Sequence, residues 1–206
     1  MKKTPSKDTK QSPDASEQTL GTRERIVQAA SRLMQRQGYD GTGLKQIAQE
    51  AEATMGSVYH FFPGGKQELA LAAIDHGDRE FAAGLHAALD GDGDPGEVIA
   101  AFTADLAERL SASDWIDGCP ITTTALGTAG RLPDIQSAAA GAFARWRELV
   151  ADRLRASGID EKTAEDLAHT VISTLEGAEL AAQVSRSKEP LQIAGRHLAL
   201  LISAHR

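Results

Sequence analysis

A chain of 206 residues, 41% of them hydrophobic and 25% charged, has room for one helical domain or for a small domain joined to a larger one. Such a chain hides roughly 70% of its unfolded surface, and no apolar run approaches the ~18 residues that cross a bilayer. The net charge of −7 argues against binding nucleic acid with the whole surface, and the lone cysteine, Cys119, excludes an internal disulfide and fits a reducing cytoplasm.

Residues 1–20 begin basic but have no apolar stretch behind them, which is not the pattern of a secretory signal. Their Pro, Ser, Lys and Asp content reads as a disordered arm. Lys2, Lys3, Lys7 and Lys10 either add salt-sensitive affinity for DNA or serve solubility alone. Thr22 is placed to cap a helix in which Ile26, Val27, Ala30, Leu33 and Met34 recur at the 3.6-residue period, and Gly38 ends it. A shorter apolar run, Leu44, Ile47, Ala48 and Ala51, breaks at Glu52-Ala53. Thr54 then caps a new helix, its hydroxyl accepting from a first-turn amide. That helix turns Val58 to the core and leaves Met55, Gly56, Ser57, Tyr59 and His60 on its other faces, until Pro63-Gly64-Gly65 stops it. Two short helices and a tight turn make a helix-turn-helix, whose second helix carries small and polar groups suited to phosphates and base edges. The charge distribution agrees: residues 1–70 hold ten Lys/Arg against eight Asp/Glu, and the remainder twelve against twenty-one.

Beyond the motif, residues 67–89 read as a helix through Leu69, Ala73, Phe81 and Leu85, despite Gly77 and Gly84. GDGDPGE at 91–97 breaks the pattern, with Pro95 at a helix start. Residues 97–111 are amphipathic through Val98, Phe102, Leu106 and Leu110. Asp117-Gly118-Cys119-Pro120 opens a short segment, 121–129, and Pro133 starts a long helix ending near Gly158. Stretches 160–185 and 190–205 complete an all-α chain of about nine helices, since no alternating strand-length run competes. The expected division is a three-helix DNA-binding domain over 21–66 and a helical body over 67–206.

The run TRERIVQAASRLMQRQGYDGTG, then IAQEA, then GSVYHFFP with a following lysine resembles the TetR family of one-component transcriptional regulators. FPGGKQEL with a later GCPI is similar, more narrowly, to its LmrA/YxaF-type subgroup. The resemblance is specific over about residues 22–75. It implies that Thr42 bonds a DNA phosphate, that Thr54, Met55, Gly56 and Ser57 open the reading helix, that Tyr59 and His60 reach phosphates, and that Lys66 opens the fourth helix. Lys45 joins them as a DNA-contacting residue. Three positions depart from the family pattern: Gly43 where a second Thr or Ser is common, Glu52 for the turn glycine, and Met55 for a frequent lysine. Phe62 and Val58 read as core rather than contact.

The resemblance also implies a homodimer on a double-stranded DNA operator and a small-molecule effector held in the helical body. A stripe of Leu167, Val171, Leu175, Ala178 and Ala182, with Leu198, Leu201 and Ile202 beside it, is the expected dimer interface. Phe81, Leu106, Trp115, Phe143 and Trp146 are expected pocket walls, with Cys119 and Thr123 as polar additions. His169, Glu176, Glu179 and Gln183 fall near one helix face, facing either a pocket or solvent. No nucleophile signature surrounds Cys119, no His/Cys/carboxylate set has ligand spacing, and no Gly-rich phosphate loop is present, so neither an enzyme nor a cofactor or metal is expected. The competing reading is a DNA-binding accessory protein without an effector, whose body recruits a protein partner.

Overall fold

The computed structural model describes residues 20–91 and 93–206, which leaves the expected arm at 1–20, its lysines included, outside the described residues except for Leu20. The first helix, α1 (Thr22–Gly41), takes its N-cap from Gly21 rather than Thr22, with no side-chain cap. Gly38 breaks its geometry at φ 71°, which glycine alone adopts freely, and a last short turn runs on to Gly41. Two short helices follow, α2 (Leu44–Glu50) and α3 (Met55–Phe61). Between them Glu52 sits at φ 50°, while the amide of Ala53 reaches back to the Ala48 carbonyl at 2.9 Å and that of Glu52 to Gln49 at 3.1 Å. This is a Schellman-type helix end with glutamate where glycine is favoured. The Nε of Arg25 donates to the Ala51 carbonyl at 3.0 Å and fastens the turn to α1.

The long α4 (Gly65–Leu89) then runs from the helix-turn-helix into the body, about 37 Å at 1.5 Å per residue. Its start at Gly65, φ 68°, reverses the chain after Phe62. In α5 (Pro95–Ala112) the Asp94 carboxylate caps the first turn, accepting from the amide of Glu97 at 3.1 Å, with Pro95 pre-set for the helix. Next come α6 (Thr122–Gly127), α7 (Pro133–Ala156), α8 (Glu161–Ser185), capped by Asp160, and α9 (Glu189–Ser203). Nine helices and no strand are present among the described residues. None is long and apolar enough to cross a membrane.

One hydrophobic core runs unbroken from Ile26 on α1 to Ile202 on α9, so the DNA-reading unit and the body share α4 and packing across it. A satellite cluster of Ala107, Leu110, Ala182 and Leu191 binds α5, α8 and α9, with Trp115 packed against it. This corrects the expected interface. Leu167, Val171, Leu175, Ala182, Leu198 and Ile202 are all buried within the single chain. Periodicity identifies the face a helix turns inward, but not whether the neighbour on that face is its own chain. Of the expected stripe, Leu201 remains exposed and Ala178 half-buried.

Candidate nucleic-acid interface and interior site

The reading helix is positioned by its own cap. The Thr54 hydroxyl accepts from the Ser57 amide at 3.0 Å and lies 2.9 Å from the Ser57 hydroxyl, so both oxygens are drawn to the N-terminal tip of α3. Val58 and Phe62 anchor the opposite face and are essentially inaccessible. What remains outward is Thr54, Gly56, Tyr59 and His60, all exposed, with Met55 and Ser57 half-buried at the edge. Gly56 presents bare backbone, which lets another molecule approach closely. Lys45 on α2 is exposed. Lys66 is placed differently: its ammonium stands 4.4 Å from the Tyr39 ring centroid, and burial there pushes its pKa down.

Thr42 departs from its expected role. It is buried, and its hydroxyl donates to the Gly38 carbonyl at 2.8 Å, closing the end of α1. That proton is spent inside the chain, so Thr42 holds the approach to α2 rather than offering a donor outward. Arg23, passed over in the sequence, lies 5.3 Å from the Phe62 ring beside the motif.

In the body, the expected pocket walls are mostly packing. Trp146 is fully buried, with its ring 4.1 Å from Phe81 and 5.1 Å from Phe143. Leu106 and Phe143 pack against the core from partly buried positions. Trp115 adopts φ 66° directly after Asp114 at 57°, a strained pair that tucks the indole between α5, α8 and α9. Phe81 also lines an open cavity of about 330 Å³, where Gln28, Ser31 and Gln35 of α1 face His76 of α4 and Arg109 of α5. His76, only 8% exposed, lies 3.5 Å from Glu24 and 3.4 Å from Glu80. His169 is exposed in a charged groove between α7 and α8, away from Glu176. It shares that residue's face, but the segment covering Glu176 does not extend two turns down the helix.

Asp78 on α4 is a functional-looking group that the sequence reading missed. Buried among apolar residues, it accepts from the Trp146 indole at 2.8 Å and the Arg145 Nε at 2.7 Å, and so clamps α4 to α7. Its position on the row Ile74, Phe81, Leu85 was the available signal, since a carboxylate on a buried stripe requires partners.

Glu176 and Glu179 lie half-buried against the start of α6, between the inward and the solvated alternatives. The Thr122 hydroxyl donates to Glu176 at 2.7 Å, and Thr123 instead turns its methyl toward Gly38 of α1. Burial pushes the Glu176 carboxyl up, and burial together with Glu176 pushes Glu179 up to about 8. Cys119 faces both carboxylates; burial first, then Glu176 and Glu179, raise its thiol well above the ordinary range. The thiol is therefore held protonated, the opposite of an activated nucleophile.

The segment carrying Cys119 is also the strap between body and DNA-reading unit. Arg36 of α1 grips Asp117 through two bonds of 2.5 and 2.9 Å, and the Gln35 amide donates to the Gly118 carbonyl. Pro120 presses on α4 at Gly77, where an added Cβ would lie 2.7 Å from the proline ring. On the other side the Gln183 amide of α8 donates to the Ile116 carbonyl at 2.9 Å.

The chain matches the family described as bacterial regulatory proteins, tetR family, over residues 26–73, and the LmrA/YxaF-like transcriptional regulator C-terminal domain over residues 95–197. It is 34% identical over 170 residues to the HTH-type transcriptional regulator LmrA of Bacillus subtilis, spanning 82% of this chain and 90% of that one. It is 33% identical over 181 residues to the uncharacterized HTH-type transcriptional regulator YxaF of the same organism, spanning 88% and 95%. A crystal structure of a TetR transcriptional regulator from Chloroflexus aurantiacus superposes with a TM-score of 0.75 at 29% identity, covering 88% of this chain and 94% of the other. Both domain families and all three relatives are transcriptional regulators rather than enzymes.

Proposed function

This chain belongs to the TetR family of DNA-binding transcriptional regulators, and on that premise we propose that it acts in the cytoplasm as a homodimeric repressor, released from a palindromic operator by a small hydrophobic or amphiphilic effector. The observation that carries the reading is the two-faced α3: Val58 and Phe62 are locked in the core while Gly56, Tyr59 and His60 stand free beside the Thr54–Ser57 tip. In this reading Gly56 and the residues around it approach base edges, and Tyr59, His60 and Lys45 set register on phosphates.

Two such helices about one DNA turn apart (~34 Å) require a dimer. The surface suited to it is what α8 and α9 leave uncovered: Leu180 at 56% exposure, Val184 at 81%, Leu200 at 67%, with Ile193 and Leu201 beside them. An apolar patch of this kind on two neighbouring helices fits a self-complementary interface.

Release is a population shift. An effector that binds one arrangement of α4 against the body better than the other changes the spacing of the two α3 helices. A coupling of ~1–3 kcal/mol suffices for 5–150-fold release. The cavity beside Phe81 lies between α1 and α4, where a guest would bear on that arrangement. The test is to select genomic fragments on the purified full chain and screen amphiphiles for thermal stabilisation and release. A selected palindrome and a ligand that does both support the reading; a chain that retains no fragment refutes it.

A further inference from the structure

Cys119, Glu176 and Glu179 come together from two parts of the chain that no spacing rule connects. The glutamates stand three residues apart on α8 and so share a face, and the loop before α6 lowers Cys119 onto it. The thiol and one oxygen from each carboxylate all lie within 4.8 Å of one another. The Thr122 hydroxyl, 2.7 Å from Glu176, adds a fourth donor atom, an oxygen, at the rim. Cys119 is only 8% exposed, and among the described residues no Lys, Arg or His acts on either glutamate. Three groups able to carry negative charge thus converge on one partly buried spot, where among the described residues bound protons alone offset that charge, a role a cation can take over.

We propose that Cys119, Glu176 and Glu179 form a binding site for a thiophilic divalent cation such as Zn²⁺, and that its occupancy is transmitted to α1 and α4 through residues 116–121. The donor set decides the class. Sulfur with two carboxylates suits a borderline-soft ion far better than Mg²⁺ or Ca²⁺, which take oxygen alone. The spacing decides the size. Zn–S of about 2.3 Å and Zn–O of about 2.0–2.2 Å place ligand atoms roughly 3.5 Å apart around a tetrahedral centre. The observed trio needs to close by about an ångström on an ion. Binding exchanges the Cys119 S–H bond for an S–metal bond and releases that proton to solvent, together with the one the Glu179 carboxyl holds at neutral pH, with no change of oxidation state.

Closure draws Cys119 toward α8, and its neighbours are already fastened elsewhere. Asp117 is held by Arg36, Gly118 by Gln35, and Pro120 abuts Gly77 of α4. Movement of the loop is therefore felt at the root of the DNA-reading unit. This second half of the proposal rests on the reading of the chain as a switchable regulator; the first half does not.

The full-length chain, stripped with a chelator, is titrated with Co²⁺ as a spectroscopic probe and then with Zn²⁺. One Co²⁺ per chain with a thiolate charge-transfer band, displaced by Zn²⁺, is expected. Cys119→Ser should abolish the band, and Glu179→Gln and Glu176→Gln should each weaken binding about tenfold or more, with circular dichroism and melting confirming that each variant folds. No band in the wild type, or undiminished binding in both glutamine variants, overturns the site. Zn²⁺ should also change affinity for a selected DNA fragment about fivefold or more in the wild type but not in Glu179→Gln. Equal affinity with and without Zn²⁺ overturns the transmission. If an amphiphile still releases the fragment in that case, the effector reading stands; if no fragment is retained at all, that reading fails while the cobalt band still decides the site.

Discussion

Replacing Glu179 with glutamine tests the electrostatics of the interior directly, because the carboxyl is pushed up to about 8 by burial and by Glu176. In the unfolded chain it titrates near its ordinary value of 4.5. Between those pH values the folded chain holds a proton that the unfolded chain has released, so stability is lost as pH rises through the window. Each unit of difference is worth about 1.4 kcal/mol, which makes roughly 4–5 kcal/mol the upper bound across the window. Relaxation and water entry reduce it, leaving about 2–4 kcal/mol as the expected effect. Glutamine keeps the shape and has no proton to lose. Urea unfolding of wild type and Glu179→Gln, in chelator so that the carboxylates are ion-free, should give similar stabilities at pH 5. At pH 8 the variant should be more stable by that amount, or about 2–4 °C in Tm per kcal/mol. A smaller slope should remain in the variant, since burial raises Glu176 too. Stability curves that run parallel from pH 5 to 8 would refute the reasoning.

Asp78→Ala should cost about 2–4 kcal/mol in chemical denaturation, because it strands the buried Trp146 indole and removes the α4–α7 clamp; a loss under 1 kcal/mol would show that the clamp contributes little. Thr54→Ala should cost about 1 kcal/mol through the lost cap. Glu52→Gly should instead stabilise, by up to about 1 kcal/mol, because it relieves the left-handed turn. Paired thermal melts compare the two signs. Val184→Asp with Leu200→Asp should convert a dimer to a monomer in light scattering without loss of helicity; a mass that does not change would place the interface elsewhere.

The helices were legible because their boundaries carry local chemistry. Asp94 and Asp160 cap α5 and α8, Pro95 and Pro133 open α5 and α7, and Thr54 caps α3, each acting within three residues. The family could be read for the same reason, since its pattern is concentrated in one contiguous stretch. What was not legible depended on neighbours distant in sequence. The α8 stripe was expected at a dimer interface, yet it packs on α7 and α9 of the same chain. Thr42 has the right residue type for a phosphate donor, but the break at Gly38 turns its hydroxyl onto a carbonyl four residues back. His169 and Glu176 share a helix face and differ only in what covers them. Cys119 and the two glutamates meet solely through the docking of the loop before α6, which Gly77 permits by giving Pro120 room.

The central claim is that the outward face of α3 reads DNA. Equilibrium binding of a selected operator fragment by the wild type and by the double variant Tyr59→Phe, His60→Ala tests it most directly. Both side chains are exposed, so their loss should leave folding, mass and ligand response unchanged. If they hold phosphates, two lost hydrogen bonds at about 1 kcal/mol each weaken binding by roughly 10–100-fold. Operator affinity equal to that of the wild type, in a variant that melts at the same temperature, would contradict the account.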